Sequence, residues 1–173
     1  MSHDVSTKRH SLAHILAQAI QELYPDAKKT IGPDIENGFY FDFDFGEKAP
    51  QESDIKEIEK KMKQIIKQNQ KFERYEMTIA EAKEKAKNVE QNPYKLEILT
   101  DLERDGVTTV SYYKNVTQQG KETYEDLCRG PHVEKMSEID ENSFKIEKLA
   151  GAYWRGDAKN KMLTRIYGIA FDT

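Results

Sequence analysis

The segment of residues 6–23, STKRHSLAHILAQAIQEL, constrains the fold most, because it predicts a long helix with two different faces. At about 100° per residue, the apolar side chains form one stripe. The stripe consists of Leu12, Ile15, Leu16, Ala19 and Leu23. His10 and His14 lie together on roughly the opposite side, and Pro25 ends the helix. The histidine pair is therefore either a solvated surface pair or part of a functional site.

Downstream of this helix, helical and strand patterns alternate irregularly. Residues 39–45, FYFDFDF, carry Phe at every second position, which is typical of a half-buried strand. Residues 53–70 predict a long charged helix, and residues 94–102 a short helix that begins after Asn92-Pro93. The remaining predicted elements are a helix at 78–87 and strands at 28–31, 72–77, 107–114, 124–127, 143–149 and 162–171. Without regular βαβ alternation, we predict an α+β fold with a mixed, mostly antiparallel sheet and packed helices.

Composition limits the classes of function. The 173 residues suit one domain, and the one cysteine excludes an internal disulfide. No run approaches the ~20 apolar residues of a membrane helix, and residues 1–9 lack the apolar core of a signal peptide. The net charge of −4 argues against broad nonspecific binding of nucleic acid, although not against a local basic patch. We expect a cytoplasmic protein that does not associate with a membrane.

A second pair of reactive side chains occurs in the segment CRGPH. Cys128 and His132 have the same spacing as the two histidines of the first helix. Gly130-Pro131 prevents a helix there, so both side chains lie on a loop at the end of the strand predicted for residues 124–127. If this loop folds over the histidine face, the two pairs form one cleft.

Three chemistries are open to such a cleft. Three imidazoles and one thiolate are suitable ligands for tetrahedral zinc, which is structural when fully ligated and activates water when one position opens. Without a metal, a histidine can act as general base near neutral pH, with the thiol as a wall of the pocket. In the third case Cys128 is a nucleophile and a histidine is its base. Spacing alone does not rank these alternatives.

Lys95 has an unusual position. It falls in the first turn of the helix predicted for residues 94–102, where the positive end of the helix dipole disfavours another cation. Either its side chain extends into water, or it is directed at an anionic or polar group nearby.

Four longer strings make the interpretation more specific: HSLAH, IGPDIENGFYFDF, DLCRGPHV and KLAGAYWRGDAKNKMLTRIYG. Together they resemble the editing domain of bacterial-type threonyl-tRNA synthetases, from about residue 9 to the end of the chain. A more distant likeness, limited to H-x-x-x-H and C-x-x-x-H, links the chain to the editing domain of alanyl-tRNA synthetase. No aminoacylation domain with ATP-binding motifs and no anticodon-binding domain is recognisable. Residues 1–173 are therefore expected to be a single editing domain, free-standing or excised from a longer synthetase.

The resemblance implies an activity and a set of catalytic residues. The four signature positions of the family are matched by His10, His14, Cys128 and His132, and its catalytic lysine by Lys95. The implied reaction is hydrolysis of the ester that joins serine to the terminal ribose of tRNA(Thr). His10 and Lys95 are expected to position or deprotonate the attacking water and to stabilise the oxyanion, while the other three side chains shape the pocket.

Three further residues are expected to bind the substrate. Asp126 matches an acidic residue of the family and is expected to contact the ammonium or hydroxyl group of serine. Tyr40 is a candidate for stacking on the terminal adenosine, and Arg129 for binding a phosphate. The family often has Tyr-Tyr-Asp where this chain has Tyr40-Phe41-Asp42, so a substrate-binding hydroxyl is absent at Phe41. We assign no catalytic role to Phe41.

The resemblance also implies the partners and cofactors. The expected partners are the 3′ end of tRNA(Thr) carrying serine and, if the domain is excised, the rest of the synthetase. No cofactor is expected to be required. The alternative is a zinc-dependent hydrolase of the alanyl type, with His10, His14, Cys128 and His132 as ligands. A non-catalytic tRNA-binding or structural zinc module is a third reading.

Overall fold

A computed structural model describes residues 5–30, 32 and 34–171, and it confirms the α+β class. The helices are α1 (Val5–Leu23), α2 (Ile55–Lys67), α3 (Ile79–Glu84) and α4 (Pro93–Arg104). The strands are β1 (Lys28–Lys29), β2 (Asp34–Ile35), β3 (Gly38–Asp44), β4 (Lys71–Thr78), β5 (Thr109–Val116), β6 (Glu122–Leu127), β7 (Phe144–Tyr153) and β8 (Met162–Ala170). No helix in this described part is both long and apolar enough to cross a membrane.

The strands form two sheets. The first has the order β1-β3-β8-β7, with β2 also paired to β3, and the second has the order β4-β5-β6. Every pairing of named strands in both sheets is antiparallel. The mostly antiparallel sheet expected from the sequence is therefore divided in two, and the cleft described below lies where elements of both parts meet.

Helix α1 is buried on nearly every side. All residues from 11 to 20 are buried. The apolar stripe packs on α2 and on Phe39, Phe41 and Phe43 of β3, the side chains that period-two alternation directed inward. The opposite side of the helix contacts the second sheet, where the His14 ring packs on Phe72 and Tyr124. The histidine face is thus covered by protein rather than by water.

Helix α4 joins the two sheets. The Asn92 side chain accepts hydrogen bonds from the backbone N–H groups of Tyr94 and Lys95, with Pro93 in the first turn, as the sequence predicted. Leu99 packs with α3 and the second sheet, whereas Tyr94 packs with Trp154 on the first. This double anchorage fixes where the start of α4 lies.

Several element boundaries differ from the sequence-based expectations. The helix expected at 78–87 is α-helical only through Glu84, after which Lys85–Val89 forms a π-helical turn. The helix expected at 53–70 ends at Lys67. Of the strand expected at 28–31, Lys28–Lys29 pairs with β3, and position 31 lies outside the described residues.

Candidate active site

The two five-residue motifs, HSLAH and CRGPH, line one cleft of about 480 Å³, as the sequence predicted. The predicted site residues among its lining are His10, His14, Lys95, Asp126, Cys128, Arg129 and His132. The loop that carries Cys128 passes closely under β5 at Gly130, which has a φ of +72°. A Cβ there would collide with the Tyr113 side chain, so only glycine fits this approach.

Cys128 lies between two histidines. Its Sγ is 3.4 Å from His10 Nε2 and 3.3 Å from His132 Nε2, and the Gly130 backbone N–H donates to it at 3.2 Å. Burial raises the pKa of the Cys128 thiol to about 11. Because the thiolate is the nucleophilic form, a neutral thiol at physiological pH disfavours the cysteine-nucleophile reading.

The contacts of Ser11 assign the tautomer of His132. Ser11 Oγ lies 2.9 Å from the Thr7 carbonyl oxygen, 3.0 Å from the Val133 backbone nitrogen and 3.1 Å from His132 Nδ1. A hydroxyl has one hydrogen, and all three contacts are satisfied only if Ser11 donates to Thr7 and accepts from the other two. His132 therefore carries its proton on Nδ1, and the Nε2 lone pair faces Cys128 Sγ.

His14 is engaged elsewhere. Its Nε2 lies 3.0 Å from Asn115 Oδ1, and the Asn115 amide donates in turn to Gln18 Oε1. Because the carboxamide oxygen can only accept, Nε2 of His14 carries the hydrogen. Burial lowers the pKa of His14 to about 3, so this imidazole is neutral at physiological pH.

A metal ion would find three ligands here rather than the expected four. The described ligand atoms of His10, Cys128 and His132 all lie within 4.8 Å of one another, and His14 is outside this group. Imidazole and thiolate donors suit zinc, and three protein ligands leave a fourth position for water. The donor set therefore fits zinc, and His14, whose Nε2 is bonded to Asn115, lies outside the cluster.

The surroundings of Lys95 explain its position. Its side chain is 4% exposed, and Nζ donates to the Thr30 carbonyl oxygen at 2.6 Å and lies 3.0 Å from Asp126 Oδ1. A carboxylate and a carbonyl, rather than water, thus compensate a cation at the positive end of α4. Lys95 reaches the cleft as predicted, and its catalytic role stays a prediction.

Sequence reasoning missed Lys29. Its Nζ donates to the Glu125 carbonyl oxygen at 2.6 Å, lies 3.7 Å from Asp126 Oδ1, and sits 4.1 Å from the centre of the Tyr124 ring. Burial by itself would raise the pKa of Asp126, but the ammonium groups of Lys29 and Lys95 hold it below its ordinary value. Strand alternation could have found Lys29, because one of two consecutive lysines in a strand must face inward.

Tyr40 lies away from the cleft. Alternation along β3 puts Phe41 in the cleft wall and Tyr40 on the opposite face. There the Tyr40 ring stacks on the Arg165 guanidinium at 4.0 Å and lies 5.8 Å from the Tyr167 ring. Its stacking on adenosine stays a prediction, and Phe41 is the aromatic ring in the cleft. Arg129 is exposed at the rim.

The chain is similar to known proteins over most of its length. Residues 115–167 match the family model described as threonyl and alanyl tRNA synthetase second additional domain. The chain is 49% identical over 163 residues to the threonine–tRNA ligases of Acetivibrio thermocellus and Fusobacterium nucleatum, covering 94% of this chain and 24% of each relative. It is 48% identical over 164 residues to that of Clostridioides difficile, covering 95% of this chain and 24% of the relative. The chain thus spans about a quarter of these relatives.

Proposed function

The chain belongs to the family of the threonyl and alanyl tRNA synthetase second additional domain, and we infer that it is the editing domain of a threonyl-tRNA synthetase. In this proposal residues 1–173 form one domain that hydrolyses tRNA(Thr) mischarged with serine. The observation that carries the proposal is the convergence of His10, Lys95 and Asp126 on one cleft beside Cys128 and His132.

The energetics of recognition explain why a second site is needed. Serine lacks one methyl group relative to threonine, and excluding a smaller analogue by binding alone gains only about 1–3 kcal/mol. A hydrolytic site that is too small for threonine reverses this order, because the additional methyl group now clashes with the wall. The buried ring of Phe41 belongs to such a packed wall.

His10 is the proposed general base. It is half-buried in the cleft wall with its Nε2 3.4 Å from Cys128 Sγ, whereas His14 and His132 are buried and have pKa values lowered by that burial. In the reaction His10 takes a proton from water as the water oxygen attacks the ester carbonyl carbon. It returns that proton to the ribose oxygen when the carbon–oxygen ester bond breaks.

Lys95 is the proposed oxyanion-stabilising group. Its Nζ is held by the Thr30 carbonyl oxygen and Asp126, so it needs no reorientation when negative charge develops on the substrate oxygen. Asp126 is proposed to contact the ammonium or hydroxyl group of serine from the same wall. Serine and tRNA(Thr) with a free terminal hydroxyl are the products.

A zinc-dependent hydrolase is the second candidate, and the clustered donors of His10, Cys128 and His132 favour it. These three residues would hold the ion, which would act as a Lewis acid and lower the pKa of its bound water. Metal analysis separates the two candidates. Stoichiometric zinc in the purified protein, with activity lost on chelation and restored by zinc, would replace the metal-free proposal.

The decisive experiment compares hydrolysis of seryl-tRNA(Thr) and threonyl-tRNA(Thr) by the purified chain. We expect rapid release of serine and slow release of threonine. Equal rates for the two substrates would contradict an editing function. Binding of tRNA without hydrolysis of either ester would favour the non-catalytic module instead.

A further inference from the structure

Two buried cations share one carboxylate oxygen behind the cleft. The Nζ atoms of Lys95 and Lys29 lie 3.0 Å and 3.7 Å from Asp126 Oδ1. The side chains of Lys95, Lys29 and Asp126 are only 4%, 12% and 6% exposed, respectively. One cation would suffice to compensate the Asp126 carboxylate, and the Lys29 ammonium, which also faces the carboxylates of Glu90 and Glu125, adds a desolvation cost of its own. Stability alone therefore does not account for Lys29.

We propose that Lys29 is a positioning residue for the editing reaction, which holds Asp126 from behind and leaves the trio with a net positive charge. The inference rests on the function proposed above. A strict pair of Lys95 and Asp126 would be neutral and would stabilise an oxyanion poorly. With Lys29 the trio carries one net positive charge beside the substrate ester, where negative charge develops.

The backbone fixes Lys29 relative to Lys95. The Asn92 side chain donates to the Lys29 carbonyl oxygen at 2.8 Å, and its own oxygen accepts from the Lys95 backbone N–H at 3.2 Å. The Lys29 ammonium is held in turn by the Glu125 carbonyl oxygen. The start of α4 and strand β1 therefore form one unit, in which both ammonium groups are preset around Asp126.

Lys29 acts on the substrate from behind Asp126. It is not one of the described residues that line the cleft, and it lines a neighbouring cavity of about 610 Å³. Asp126 and Lys95 line the cleft and not this second cavity. A group placed in this way affects the transition state through charge and orientation, without forming part of the binding surface.

The test measures steady-state deacylation of seryl-tRNA(Thr) by Lys29→Met. This substitution removes the ammonium group and keeps an unbranched side chain. We expect kcat to fall about tenfold, less than the ~10²-fold cost of losing a direct oxyanion donor, with KM and thermal stability nearly unchanged. Lys29→Arg should restore most of the rate. Lys28→Met is the matched control, because the Lys28 ammonium donates to the Gln91 carbonyl oxygen at the surface.

A double-mutant cycle identifies the route of the effect. In the Asp126→Asn background, Lys29→Met should cause a clearly smaller loss of kcat than in the unmutated chain, because the positioning part of its effect passes through that carboxylate. Three results overturn the inference: an unchanged kcat in Lys29→Met, an equal additional loss in the Asp126→Asn background, or a loss that only follows unfolding. If the unmutated chain does not hydrolyse seryl-tRNA(Thr), the proposed function fails, and the role of Lys29 in it fails too.

Discussion

The two walls of the cleft handle burial in opposite ways. On the wall formed by α1 and the loop after β6, burial lowers the pKa of His14 to about 3 and raises that of Cys128 to about 11, so both groups are neutral. On the wall formed by α4 and β6, Lys95 and, from behind the wall, Lys29 keep Asp126 ionised. The first wall, here called the neutral wall, offers lone pairs and hydrogen bonds. The second, here called the charged wall, offers charge. A hydrolytic site needs both, since one step takes a proton and another creates an oxyanion.

The largest expected effect belongs to the neutral wall. His10→Ala should lower the rate of seryl-tRNA(Thr) hydrolysis by 10²–10⁴-fold, the usual cost of losing a general base. Single-turnover kinetics at pH 7.5 measure this loss. His3→Ala, outside the described residues, is the matched control for removing a histidine. A rate in His10→Ala close to that of the unmutated chain would contradict the division of roles between the walls.

Next is the charged wall. Lys95→Ala should cost about 10²–10³-fold in kcat, because an oxyanion-stabilising group is removed. The Asp126 carboxylate keeps Lys29 as a partner, so the protein should still fold. Lys87→Ala, at an exposed lysine of the π-helical turn, is the control. A loss confined to KM would instead assign Lys95 to substrate binding.

The sequence predicted the fold where local periodicity decides it. Alternation along FYFDFDF correctly directed Phe39, Phe41 and Phe43 inward, and Asn92-Pro93 correctly marked the start of α4. The division into two sheets depends on which strands pair across long distances, and local patterns carry no such information. The burial of residues 11–20 of α1 has the same origin. Some polar side chains of this segment are bonded to residues about 100 positions away, as when His14 contacts Asn115.

The site was predictable to a similar extent. Motif spacing correctly predicted that the His10–His14 and Cys128–His132 pairs line one cleft, because a helix face and a loop at a strand end are local features. The sequence did not distinguish His14 from the three clustered residues, because the hydrogen bond of its Nε2 is made to Asn115, far away in the chain. Lys29 was missed because a lysine in a short strand is usually exposed. Strand alternation turns one of the two consecutive lysines inward, but only the position of Asp126 reveals which of the two half-buried lysines reaches that carboxylate.

The neutral wall should also control how stability depends on pH. The native state keeps His14 and His132 unprotonated, because burial lowers the pKa of both, whereas the unfolded chain protonates them near pH 6.5. The unfolded state then binds more protons, so the free energy of unfolding falls as pH decreases below 6.5, by about 1.4 kcal/mol per pH unit for each histidine. Asp126 adds nothing in this window, because its pKa is lowered from an ordinary value of 3.8. Urea unfolding of the metal-free protein at pH 7.5, 6 and 5 measures the slope.

A matched variant shows how much of that slope is due to His14. Between pH 6.5 and pH 4, His14→Gln should lower by one the number of protons that the protein takes up on unfolding. The slope of the free energy of unfolding against pH should fall accordingly, whatever the effect of the substitution on stability at pH 7.5. A stability that is constant from pH 7.5 to pH 5 would mean that these imidazoles accept protons in the native state. The neutral wall would then carry positive charge at acidic pH, and its contrast with the charged wall would be lost.

The smallest effect is expected for Cys128, and it tests the neutral wall most directly. With a pKa of about 11, about one thiol in a thousand is ionised at pH 8, against about one in four for an ordinary cysteine of pKa 8.5, so alkylation by iodoacetamide should be roughly two hundredfold slower. Cys128→Ala removes the sulfur but leaves His10 and Lys95, and it should lower kcat by less than about tenfold, because the thiol only fills the pocket and contacts two imidazoles. A nucleophile would behave differently, since its loss abolishes the covalent route. A zinc ligand would differ again, because Cys128→Ala would release metal together with activity. Rapid alkylation at pH 8 with loss of several orders of magnitude in Cys128→Ala would therefore overturn the neutral thiol and restore the cysteine-nucleophile reading.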